Sequence, residues 1–189
     1  MVALVLVMVL AAANAGVPSI STNDTTQIKD MKASASETID QGFILNVVEP
    51  PKVVQNEIQS FYQYVNNETG TKAPIGYFPE AVQQAVQEKL PEDIAEDTLQ
   101  VNEMISLQTY NYDTKYGDVT VEIAFATVYQ EGSTVVVLVG LSDADGNIEY
   151  VVVDAYVTPS GSLMVVFPQE LLLRMEKAAA IPLVVFNEP

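Results

Sequence analysis

Asp154 is the only charged residue in the run Val151–Val157 (VVVDAYV), and alternation puts Ile148, Tyr150, Val152 and Tyr156 on its face of a strand. A carboxyl group held there is partly desolvated, which raises its pKa toward the range a general acid needs. Paired with Glu122 or Glu103 from a neighbouring strand, it would make the two-carboxylate arrangement of a glycoside hydrolase acting on an uncharged glycan. The plainer expectation is an Asp accepting hydrogen bonds from a Tyr or from backbone at a strand end or bulge.

Asp143-Ala144-Asp145-Gly146-Asn147 is the next constellation, with Glu149 beyond it. Asp143, Asp145 and Asn147 offer oxygen ligands at alternate positions, as the opening of a calcium loop does. The Gly comes too early for that loop, and no Glu is spaced to close it. Asp-Gly between two apolar runs is also the pair that a tight hairpin turn requires, since its central residues need φ > 0.

Tyr110, Tyr112 and Tyr116 form a third candidate, in a chain with nine Tyr and no Trp. Their rings could stack on sugars or serve an adaptable binding surface, although packing between helix and sheet accounts for most tyrosines. Glu88, Glu92, Asp93, Glu96 and Asp97 make an acidic run that reads as a solvated face, or else as a docking surface for a basic partner.

The chemistry these residues can join is narrowed by what the chain lacks. Its 189 residues include no His and no Cys, which removes His-dependent triads, thiol nucleophiles, disulfides and imidazole or thiolate metal sites. Eight basic residues against 25 acidic ones give a net charge of -17, so nucleic acid and anionic lipid are excluded as partners. Gly-x-Ser-x-Gly, Ser-x-x-Lys, P-loop and dinucleotide motifs are absent, and no cofactor is expected. A non-enzymatic module binding a protein, peptide or glycan is therefore the first functional expectation. The carboxylate hydrolase and a calcium-stabilised adhesion domain follow it.

Residues 1–15 (MVALVLVMVLAAANA) read as a secretory signal peptide, with Ala13-Asn14-Ala15 as the small residues before cleavage. The run is too short to span a bilayer, so no membrane span is expected after cleavage. An exported, cysteine-free chain points to an extracellular or cell-envelope location in a bacterium. Without the leader, the apolar share falls from 49% to roughly 45%, an ordinary globular value.

The elements that must position these groups follow from periodicity. Residues 16–41 are polar with no sustained period and read as a flexible leader or tether. A single domain is expected over 42–189. Val54, Ile58, Phe61 and Val65 recur at helical spacing after Pro51, and a second helix follows Pro79. From Leu99 the period becomes two: Val119, Val121, Ile123 and Phe125 alternate with Thr120, Glu122 and Ala124, and short turns link the following strands. A helix after Pro168 and a final strand over 181–186 complete the order. The outline is α+β: a curled antiparallel sheet of five or six strands with two N-terminal helices and one C-terminal helix packed on it. By element order alone it resembles the NTF2-like and cystatin-like folds, which implies nothing about activity.

Overall fold

The computed structural model describes residues 21–22, 28–67, 70–126 and 128–188. The expected signal peptide, residues 1–15, lies outside them. The strands are β1 (Ser21–Thr22), β2 (Ile28–Ala35), β3 (Ile44–Val48), β4 (Asn66–Asn67), β5 (Gly70–Thr71), β6 (Gln100–Tyr110), β7 (Val119–Phe125), β8 (Val135–Ser142), β9 (Ile148–Val157), β10 (Leu163–Phe167) and β11 (Ile181–Asn187). The α-helices are α1 (Lys52–Val65), α2 (Glu80–Gln87) and α3 (Gln169–Met175). Each begins directly after a proline, Pro51, Pro79 or Pro168, with φ of -65, -54 and -60°.

Hydrogen bonding runs β1-β6-β11-β8-β9-β10-β7-β2, with β3 also on β6. Apart from the short parallel β1–β6 contact, these pairs are antiparallel. The result is a nearly closed barrel-like sheet of eight strands along this path, carrying short helices. The expected sheet of five or six strands under three helices is thus corrected, and the NTF2-like or cystatin-like outline goes with it. Two segments account for the difference.

The first is β2, inside the stretch expected to be a leader or tether. It pairs with β7 from Ile28↔Phe125 to Ala35↔Val119. Only Ile28, Met31 and Ala35 of this strand touch the core, and its other residues are exposed, so its side chains carry almost no period. Order comes from backbone bonds to β7, which side-chain patterning does not record.

The second is β11, last in sequence yet seated between β6 and β8. Ile181 to Phe186 are all buried. Ile181, Leu183 and Val185 face the barrel interior, while Val184 and Phe186 face the helices. A strand covered on both sides reads as an unbroken apolar run.

Two apolar clusters result. Inside the barrel, Val121, Ile123, Val139, Leu163, Val165 and Phe167 meet, and α3 closes one end with Leu171, Leu172 and Met175. Outside, Val54, Ile58, Phe61 and Val65 of α1 and Val82 and Val86 of α2 cover Met104, Leu138, Val184 and Phe186. The α1 face is the one its spacing predicts.

Candidate functional site

β6 outruns its neighbour. β11 starts at Ile181, opposite Leu107, whereas β6 continues to Tyr110 with β3 alongside at Thr109↔Leu45 and Tyr110↔Ile44. The strand stops at Asn111, whose positive φ of 57° turns the chain and whose Nδ2 donates to the Gly42 carbonyl at 2.9 Å. Across the gap runs the α3–β11 connection, anchored where Ala180 bridges to Ser142.

Between these segments is a cavity of about 260 Å³, whose walls include Ser106, Gln108, Thr109, Tyr110, Glu49 and Glu176. Ser106 and Thr109 are 1% and 3% exposed, and neither hydroxyl has a hydrogen-bond partner among the described residues. Tyr110 is 51% exposed. Glu176 is held in place because its Oε1 accepts the Tyr112 backbone N–H at 2.6 Å. Buried unpaired hydroxyls beside an accessible ring, a held carboxylate at Glu176 and an exposed one at Glu49 offer hydrogen bonds and one apolar face, with no Lys or Arg among the described lining residues.

The three candidate tyrosines do not share this surface. Tyr110 lines the cavity. Tyr112 and Tyr116 are buried against Phe43, with ring centroids at 5.8 and 5.7 Å. The Tyr112 hydroxyl donates to the Gly117 carbonyl, and the Tyr116 hydroxyl accepts the Asp40 N–H at 3.0 Å. Burial above all pushes the Tyr112 phenol up, assisted by Asp118, Asp113 and Glu176.

Asp154 lies on the outer face of β9. Tyr150 and Val152 on that face pack under the helices, but the cover ends there, and Asp154 is exposed and ion-paired with Lys89 just beyond α2. The expected desolvated carboxyl is therefore a solvated one. Glu122 also faces outward, between Met164 of β10 and Lys32 of β2. Asp154 sits opposite Val166, itself opposite Thr120, so Glu122 lies two strands over and two residues along. That geometry separates the α-carbons by about 12 Å. The two carboxylates do not come together.

Asp143 organises a turn. Its Oδ1 accepts the N–H groups of Asp145 and Asn147, both at 2.9 Å, and its Oδ2 accepts the Asn147 side-chain amide at 2.8 Å. These bonds, that of the Asn147 amide first, hold its carboxyl below the usual range. Gly146 takes φ of 90°, and Glu149 pairs with Arg174 at 2.7 Å. Among the described residues no group of three or more acidic side chains is placed to hold a metal ion. The acidic run 88–97 is mainly exposed beyond α2.

Glu103 has a different environment from Asp154. It shares the inward face of β6 with Ile105 and Leu107, is 3% exposed, and desolvation pushes its carboxyl up to about 7. Its charge acts on Tyr129, from the β7–β8 connection, whose hydroxyl is raised first by burial and then by Glu103. That hydroxyl lacks a hydrogen bond of normal geometry, although the Asn102 amide is within electrostatic reach.

Ser106, Thr109 and Tyr129 were not legible as site residues. Glu103 enters from the sequence only as a neighbouring-strand partner for Asp154, although an acid amid Val101, Ile105 and Leu107 is the same signal as Asp154 in its run. Compared with protein-family models, with curated proteins and with solved structures, the chain matches none of them.

Proposed function

We propose that the protein is a non-enzymatic binding module, exported to the bacterial envelope or beyond, that holds a neutral saccharide at the Tyr110 cavity. The observation that carries this reading is the Tyr110 ring, 51% exposed in the cavity wall, on the same face of β6 as Ser106, whose buried hydroxyl has no partner among the described residues. Each unpaired buried hydroxyl costs about 1–3 kcal/mol. A sugar recovers part of that cost, because every ring hydroxyl both donates and accepts. Tyr110 presents an accessible face on which the apolar side of a pyranose can stack. Glu49 and Glu176, with no basic residue opposite, favour a neutral sugar over an acidic one.

Calorimetric titration with neutral mono- and oligosaccharides tests the proposal. Millimolar or tighter binding is expected, weakened at least tenfold by Tyr110→Ala, a loss of about 1.4 kcal/mol. Ser106→Ala should weaken binding too while stabilising the unliganded protein. Binding that survives Tyr110→Ala, or no binding of any neutral saccharide at millimolar concentration, removes the site.

A further inference from the structure

β11 joins two cavities. Ile181 at its start borders the one just described, and Asn187 at its end borders another, of about 430 Å³. Seven residues of strand place them about 20 Å apart. The second cavity is walled by the β7–β8 connection and the end of β11, including Tyr129, Gln130, Glu131, Ser133, Asn187 and Glu188.

This wall is built by backbone bonds. Tyr129 N–H donates to the Gly161 carbonyl at 3.1 Å, Ser133 N–H to Gln130 at 3.1 Å, and Glu188 N–H to Thr134 at 3.1 Å. Gly132 supplies φ of 80° in the turn. A Cβ on Gly161 would lie 2.8 Å from the Tyr129 carbonyl oxygen, so the β9–β10 turn closely backs the connection. The cavity is pre-formed.

Its chemistry is one-sided. Asn187 Oδ1 is a buried acceptor with no hydrogen-bond partner among the described residues, and the buried Tyr129 hydroxyl, with the Asn102 amide in reach, makes no hydrogen bond of normal geometry and can accept. Tyr129 is 5% exposed. Glu131 and Glu188 add two carboxylates, and no Lys or Arg is among the described lining residues. Glu103 stands behind Tyr129, close enough for its charge to act on the phenol.

We propose that this second cavity binds a primary ammonium group. Three N–H donors match the Asn187 oxygen, the Tyr129 oxygen and one rim carboxylate. The space exceeds that of a bare ion, and an organic amine fills it. The ammonium belongs either to a free amine or to a lysine side chain. The site is independent of the saccharide reading.

The test is thermal unfolding of the full chain with butylammonium chloride, against 1-butanol, tetramethylammonium chloride and potassium chloride at matched ionic strength. A saturable rise in midpoint is expected for butylammonium, exceeding that with potassium and weaker or absent with the other two probes. Nα-acetyl-lysine amide, run in parallel, distinguishes a lysine side chain from a free amine by its relative affinity. Tyr129→Phe should raise the midpoint of the unliganded protein, because it removes an unpaired hydroxyl, yet weaken butylammonium at least tenfold. Asn187→Ala should weaken it similarly, and Tyr110→Ala should leave it unchanged. A butylammonium shift no larger than that of potassium chloride, or one that persists in Tyr129→Phe, overturns the proposal whether or not Asn187→Ala folds.

Discussion

Tyr150 on β9 donates a 2.8 Å hydrogen bond to Oε1 of Glu57 on α1, tying the helix to the outer face of the barrel. Around that bond, Phe78 meets Tyr150 edge-on at 4.9 Å and Phe186 at 5.7 Å. Burial, then the charge of Glu57, pushes the Tyr150 phenol well above its usual range; the same two causes push Tyr77 up to about 12. Glu57 therefore accepts from a phenol that stays protonated at any physiological pH.

Tyr150→Phe should remove the bond and keep the ring packing. A charge-assisted bond of this kind contributes about 1.5–3 kcal/mol. Urea unfolding should show a lower midpoint at unchanged slope, with Glu57→Gln losing less because its amide oxygen still accepts.

Gly140 sits on β8 opposite Tyr150. A Cβ there would stand 2.5 Å from Pro182 Cγ, 2.7 Å from Ile148 Cγ2 and 3.0 Å from Tyr150 Cε1. The proline ring cannot rotate aside, so Gly140→Ala should destabilise by about 1–3 kcal/mol. Gly42→Ala, with nothing within 4 Å, is the matched control for the same measurement.

Glu103 makes stability fall as pH rises. Its carboxyl titrates near 7 when folded and near 4.5 when unfolded, so between those values the folded state binds the extra proton. No penalty applies below about pH 4.5; it grows through the interval and levels off above 7, at about 3 kcal/mol. Chemical unfolding of Glu103→Gln and the parent from pH 4 to 8 should give a difference in stability that widens in favour of the variant across that window. Parallel curves would contradict the burial of Glu103.

Calcium should not stabilise the β8–β9 hairpin specifically. Both oxygens of Asp143 already accept bonds from Asp145 or Asn147, which the ion would have to displace. Millimolar calcium is expected to leave the melting midpoint where a potassium salt of equal ionic strength leaves it. A saturable rise in midpoint beyond that control would show a folded-state site.

Removing residues 1–35 should cost more than loss of a tether. It strips β2 from β7 and exposes the β7 edge from Val119 to Phe125, with its row of unpaired backbone groups. Lower thermal stability and concentration-dependent association in size-exclusion chromatography are expected. A monomer of unchanged stability would mean that β2 contributes nothing.

Sequence and tertiary structure divide along the same physical line throughout. The inward face of α1, the alternation of β7 and the Asp143 turn were legible, because each depends on residues a few positions apart: helical spacing, period two, and an Asx side chain bonding its own loop. The exclusion of His and Cys chemistry, the charge of -17 and the expectation of export likewise follow from composition and order alone. Periodicity, however, reports only that a face is covered or open. It does not say what covers it, or where the cover ends. Asp154 and Glu103 both interrupt apolar runs; one is solvated because the helices stop short of it, and the other is buried because its strand faces the barrel interior. In the same way β2 is held by backbone bonds, β11 is central although last, and the Tyr110 cavity exists because β6 is longer than its neighbour. Those outcomes depend on which distant strands pair and how their lengths match, so only the assembled barrel decided them.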